Sequence, residues 1–175
     1  MKKPVIVLFA LGTLFAQAQE KVPLYRLLCR SGEHFYTVSV PERTKAESEA
    51  CKAEGEVGMV YTSQAAGTIP VYRLVSTGKI GGHFLTASSA ERAEVIKRFN
   101  YKPEGIAFYL FSKQKPGTIA MYRLLDPHTE DHFYTANAAE RDEAEQKDGF
   151  KAEGVLGYVW PTVPEKVAKR IVRPH

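Results

Sequence analysis

Cysteine is scarce in this 175-residue chain, with only Cys29 and Cys51, and tryptophan occurs once, at Trp160. Two thiols cannot form a four-ligand structural zinc site by themselves, and without a C-x-x-C pair they carry no redox motif. No long hydrophobic run is present. The longest, Val5 to Phe15, has 11 residues, well under the roughly 18 that cross a bilayer as a helix. Charge of one sign is missing too, with 24 basic against 20 acidic residues. Four of the basic groups, Lys166, Lys169, Arg170 and Arg173, lie in the last stretch of chain, so no basic face is available for a phosphate backbone and nucleic acid is excluded as an expected partner. The chain has no G-x-S-x-G elbow, no H-E-x-x-H and no Gly-rich phosphate loop, which removes the common hydrolase, zinc-peptidase and nucleotide signatures. No catalytic residue and no cofactor is expected.

What is there begins with Lys2 and Lys3, the apolar run, and Ala16-Gln17-Ala18. That order predicts a secretory signal peptide over residues 1–18 and a secreted or periplasmic product that does not span the membrane. Residues 19–161 are expected to form one domain, and 162–175 a basic C-terminal tail. An even cysteine count in an exported chain favours a Cys29–Cys51 disulfide, with two free thiols as the alternative.

The body is one sentence written three times. Tyr-Arg-Leu opens at Tyr25, Tyr72 and Tyr122, and His-Phe, Glu-Arg and Glu-Gly follow each time in the same order. The copies are residues 22–68, 69–118 and 119–161. A unit of this length cannot bury its apolar face alone, so the three must share a core. Each copy predicts two short strands, a helix and a third strand. Apolar runs Val22–Leu28, Ile69–Val75 and Ile119–Leu125 are followed by Glu33–Val38, His83–Ala87 and His132–Ala136. Ser39 with Glu42, Ser88 with Glu91 and Asn137 with Glu140 have the spacing of a reciprocal helix cap. The third strands are Gly55–Tyr61, Gly105–Phe111 and Gly154–Trp160. The expected fold is mainly β with one short helix per repeat, closed into a pseudo-threefold, β-trefoil-like barrel that leaves no exposed edge.

Recurrent residues are expected to be scaffold. Arg26, Arg73 and Arg123 should pair with Glu54, Glu104 and Glu153, because a guanidinium leaving water needs a carboxylate. Three histidines, His34, His83 and His132, raise a metal reading, but hydrogen bonding within each copy is the stronger expectation and no metal is assigned. The informative variation is in the turn before His-Phe. Copies one and three carry an acid, a His and a Tyr together, as Glu33, His34, Tyr36 and as Asp131, His132, Tyr134, whereas copy two has Gly82 and Leu85. A carboxylate beside a ring can hold a sugar; the competing account is that the acid stabilises its own turn. Trp160, next to Pro161, completes the candidate ligand-binding set.

The strings Tyr-Arg-Leu, Gly-Glu-His-Phe-Tyr-Thr, Ser-x-x-Glu-Arg and Glu-Gly-x-x-x-x-x-Tyr, repeated over residues 22–160, resemble a family of secreted tandem repeats that forms a domain of unknown function. The resemblance implies an accessory binding role, since such modules are often appended to exported hydrolases. It carries over no catalytic residue, and the departures at Gly82, Leu85 and Glu130 imply unequal use of the three copies. Together these readings point to a secreted, lectin-like, non-catalytic module for carbohydrate or another cell-envelope polymer. The alternative is a protein-binding envelope factor or inhibitor acting through its variable loops, the Gly78 to Gly81 loop above all.

Overall fold

The computed structural model of the chain describes residues 19–78 and 82–162. The expected signal peptide, almost all of the tail, and residues 79–81 of the variable loop lie outside the described residues.

Each copy folds into a lobe of the same plan. In the first, β1 (Lys21–Cys29), β2 (His34–Thr37), α1 (Val40–Ser48) and β3 (Cys51–Tyr61) follow in order. The second has β4 (Thr68–Ser76), β5 (His83–Thr86), α2 (Ser89–Arg98) and β6 (Tyr101–Phe111). The third has β7 (Ile119–Leu125), β8 (His132–Thr135), α3 (Ala138–Gln146) and β9 (Lys151–Val159). Within a lobe the first strand pairs antiparallel with both others, so the second strand is an edge.

The third strands start three or four residues earlier than the apolar pattern predicts. They can do so because the Glu-Gly step is a bulge. The register of β1 on β3 shifts on either side of Tyr25 and Arg26, opposite Glu56 and Gly55, and Gly55, Gly105 and Gly154 all have positive φ, 123°, 110° and 105°. Only glycine enters that region without a Cβ penalty. The exposed, charged stretch before each bulge hides the strand from a hydrophobicity reading.

The lobes meet through single bridges that follow a threefold cycle: Met59 with Trp160, Tyr61 with Tyr109, and Phe111 with Tyr158. The nine strands form an open antiparallel sheet and not the expected closed barrel. Closure fails because β2, β5 and β8 pair only with the first strand of their own lobe and reach one another through side chains.

The shared core lies on the pseudo-threefold axis. Leu24, Val71 and Met121 from the first strands, Val60, Leu110 and Val159 from the third, and Tyr36, Leu85 and Tyr134 from the second are each at most 1 % exposed. Burying one such side chain is worth about 1.5–3 kcal/mol. The threefold rule breaks at two core positions, where Leu85 of lobe two stands in place of Tyr36 and Tyr134, and Phe108 in place of Gly58 and Gly157. A Cβ on Gly58 would lie 2.7 Å from Val159 Cγ2, and one on Gly157 would meet Leu110 Cδ1 and sit 2.8 Å from the Phe111 carbonyl. Lobe two therefore contributes a Phe and a Leu where the others contribute a Gly and a Tyr. Volume is shared among the lobes, which matters in an interior packed as densely as an organic crystal.

The helices bury little: α1 and α2 have no buried residue and α3 has Ala144 alone. They end on Ala50, Asn100 and Gly149, all at positive φ, the conformation that closes a helix C-terminus. No helix among the described residues is long and apolar enough to cross a membrane. Cys29 and Cys51 face each other across β1 and β3 and are joined by a disulfide.

Candidate functional site at the lobe seams

The three seams between lobes are built from the same parts, and in each the partner comes from the neighbouring lobe. Thr37 Oγ1 accepts from the Ser39 amide at 2.9 Å and donates to Glu42, and Thr86 with Glu91 and Thr135 with Glu140 repeat this. Ser39 accepts from the Glu42 amide at 3.3 Å, so half of the expected reciprocal cap exists. The other half does not, because each of these glutamates turns outward to an arginine of the next lobe.

Arg73 grips Glu42 with two bonds of 3.0 and 2.6 Å, Arg123 grips Glu91 at 2.9 and 2.8 Å, and Arg26 grips Glu140 at 3.0 and 2.7 Å. The remaining Nε of each arginine meets the Glu-Gly carboxylate of its own lobe: Arg26 with Glu54 at 2.8 Å, Arg73 with Glu104 at 2.7 Å, Arg123 with Glu153 at 2.8 Å. A planar fork with three N–H edges suits two carboxylates at once. Burial works against the charge on these arginines, yet the hydrogen bonds and neighbouring carboxylates carry all three above the ordinary arginine range. The same bond from Arg73 holds the Glu42 carboxyl below its usual value.

Under each fork lies an aromatic of the preceding lobe. Arg26 sits over Phe133 at 4.7 Å, and Arg73 over Phe35 and Arg123 over Phe84 at 5.1 Å. The histidines pack edge-on to the same rings, His34 on Phe133, His83 on Phe35 and His132 on Phe84, at 4.7–5.0 Å.

Of the residues expected to bind a ligand, Glu33, His34, Asp131 and His132 gather at one end of the axis. Asp131 is 3 % exposed and accepts from the His34 amide at 3.0 Å and from its Nδ1 at 2.6 Å. Glu33 stands 3.9 Å from His83 Nδ1, its carboxyl pushed up by burial and by the charge of Asp131. The third acid position is Gly82, where a Cβ would meet the Glu33 side chain at 2.5–2.7 Å. Two carboxylates fill the axis and a third has no room. His83 Nδ1 and His132 Nδ1 have no hydrogen-bond partner among the described residues, and burial together with the Arg123 charge drives the His132 imidazole down to about 4.

Tyr36 and Tyr134 are fully buried and offer no face to a ligand, so the two tyrosines of the acid-His-Tyr turns form an internal joint. Tyr36 Oη donates to the Tyr134 carbonyl at 3.0 Å and accepts from its amide at 2.7 Å; Tyr134 Oη treats Leu85 in the same way at 2.9 and 2.8 Å. Leu85 lacks a hydroxyl to continue the series, and Arg73 Nη1 takes the Tyr36 carbonyl instead at 3.1 Å. Trp160 lies at the other end of the axis. Its indole donates to Tyr61 Oη at 3.0 Å and packs on Phe111, with Lys21 Nζ 4.3 Å over the ring.

Two sets of cavities flank the seams. Beside each arginine fork is a small polar pocket, of about 210 Å³ at Arg26 and 170 Å³ at Arg73 and at Arg123. Each is lined by the fork, the bulge glycine, and the Thr and Glu of the neighbouring helix start. On the far side of the Phe-His layer are wider clefts, of about 410 Å³ between lobes one and two and 590 Å³ between lobes two and three. Phe99, Tyr101 and Glu130 line the larger one. Phe99 belongs to no recurring motif of the sequence, although Glu49 at the matching helix end in copy one is a visible contrast. No group of three or more metal-ligating side chains converges among the described residues.

Neither a curated protein nor a solved structure matches the chain. One protein family does, described as Domain of unknown function (DUF5648), in two overlapping matches over residues 10–111 and 81–172. The chain belongs to this family of domains, in tandem copies that share one core.

Proposed function

We propose that the protein is a secreted, non-catalytic binding module for carbohydrate of the cell envelope, using the three polar seam pockets as repeated subsites. The observation that supports this most is their repetition: three cavities of sugar-ring size, each offering a fixed fork of N–H donors and carboxylate acceptors. A sugar hydroxyl both donates and accepts, so it can join such a network without leaving a charge unpaired. Beside two of the pockets stand exposed apolar side chains, Ile106 at 49 % and Val155 at 48 % exposure, able to cover the C–H face of a ring. The first pocket has Glu56 at the corresponding place. Weak subsites on one rigid body gain by avidity on a polymer.

The test is binding to immobilised cell-wall glycan by the full secreted chain and by Ile106→Asp, Val155→Asp and the double variant. Both sites are exposed, so folding is expected to persist. One lost subsite should weaken avidity by about tenfold and two by about a hundredfold. Wild-type binding by the double variant, or no binding of any glycan by the parent chain, would refute the reading.

A further inference from the structure

The two wide clefts are equivalent by the threefold rule but differ in lining, and the difference is chemical. Between lobes one and two the wall contains the Cys29–Cys51 disulfide, Lys45, Ala46 and Glu49. Between lobes two and three the corresponding positions are Ser76 and Tyr101, Val95 and Phe99. In lobe three the matching Ala144 is buried against Leu124 and Phe133, with Phe150 packed on the cluster. Lobe two alone combines an aromatic helix end with an open wall. Phe99 is 57 % exposed at the C-terminus of α2, and Tyr101 packs on Phe84 with ring centres 6.0 Å apart.

Among the described residues the polar side of the cleft is negative. Glu91 and Glu153 share the one guanidinium of Arg123, and Arg98, whose guanidinium lies 5.8 Å over one face of the Phe99 ring, is matched by Glu94 at 2.6 Å. Glu130 has no ion pair among the described residues. It also holds a φ of 59°, where copy one has Gly32 at 89°; a side chain there costs roughly 1–2 kcal/mol relative to glycine. Burial first, and then the charges of Glu130, Asp131 and Glu33, raise the Tyr101 phenol above its usual range.

We propose that the cleft between lobes two and three binds a small organic cation, an ammonium group carried on an apolar or aromatic body. Phe99 and Tyr101 contact the body, and Glu130 provides the counter-charge. Aromatic faces beside a carboxylate attract such ions electrostatically, and a desolvated ammonium gains more from the rings than an exposed one. A neutral apolar ligand would leave the carboxylate excess unused, and an anion would face Glu130 directly. The inference does not rest on the glycan reading, whose pockets lie at the arginine forks.

Heteronuclear NMR titration of the full chain tests it with three soluble probes of one shape: benzyltrimethylammonium, benzyl alcohol and phenylacetate. The cation is expected to shift the Phe99, Tyr101 and His132 signals and to bind about fivefold or more tightly than the alcohol, with phenylacetate weakest. Phe99→Ala should weaken cation and alcohol alike by about fivefold. Glu130→Gln should remove the preference for the cation while leaving the alcohol unchanged. Glu130→Gly should do the same while raising the unfolding midpoint, which separates the charge from any damage to the fold. Phenylacetate binding as well as the cation, a cation preference that survives both Glu130 variants, or no shift at the cleft up to the solubility of the probes would each overturn the proposal.

Discussion

Replacing Tyr134 by Phe removes one oxygen and should cost more than most single substitutions in this chain. The ring remains, so packing is almost unchanged and no large cavity opens. What disappears is the partner of two backbone groups, the Leu85 amide at 2.8 Å and the Leu85 carbonyl at 2.9 Å, in a place with no measurable exposure to water. Each buried, unsatisfied group costs about 1–3 kcal/mol, so the pair should cost ~2–6 kcal/mol, a large share of the 5–15 kcal/mol that holds a typical domain. Tyr36→Phe deprives Tyr134 of the same two bonds and should cost about as much. The assay is urea unfolding followed by far-ultraviolet circular dichroism, with the midpoint falling and the slope unchanged. Because the two rings also meet edge-on at 5.1 Å, the double variant should depart from the sum of the singles. A loss under about 1 kcal/mol for both single variants would show that the hydroxyls do not join the lobes, and the account of how β2, β5 and β8 associate without a ladder would fail.

Acid should destabilise the protein. His132 is held neutral in the fold, down from 6.5 to about 4, so the unfolded chain binds a proton between those values and the fold does not. Each tenfold change in proton affinity is worth about 1.4 kcal/mol. The stability present above pH 6.5 should therefore fall by ~3 kcal/mol as pH drops through that window. His83 and the lowered Glu42, Glu91 and Glu140 act in the same direction, and the raised Glu33 opposes them. Thermal midpoints measured from pH 7 to pH 4 should fall, and a His132→Gln variant should show a shallower decline; an equal decline would remove His132 from the account. Gly157→Ala should lower stability by about 1–3 kcal/mol, the usual cost of overpacking, because the new methyl meets Leu110 and the Phe111 carbonyl. Denaturant unfolding reads it, and an unchanged midpoint would contradict the close approach of β9 and β6. Reducing the Cys29–Cys51 bridge, which closes a separation of 22 residues, should cost ~3 kcal/mol in the chain-entropy model, seen as a lower melting temperature in reductant.

Much of the fold was legible because its signals are local. A strand announces itself by its own β-branched residues, a helix start by a Ser or Asn three positions before a Glu, and a repeat by self-similarity. The recurring Arg and Glu likewise marked themselves as partners by recurring. The partner across each seam was not legible. Glu42, Glu91 and Glu140 have the spacing of a local cap, yet their carboxylates go to arginines 31, 32 and 114 residues away. Nothing in a glutamate distinguishes the two fates until the lobes are set side by side.

The amino-acid order by itself determined three lobes, the presence of the strands and the helix starts, since each depends on neighbours in the chain or on repetition along it. The tertiary structure alone decided that the sheet stays open, that Tyr36 and Tyr134 turn inward, and that lobe two's missing acid is a matter of space already taken by Glu33. A tyrosine is amphipathic, and its surroundings choose between water and a buried backbone as the partner of its hydroxyl. Those surroundings are assembled by segments 49 and 98 residues apart, one and two copies along the chain, and the repetition fixes that the copies are alike without fixing which way a side chain faces.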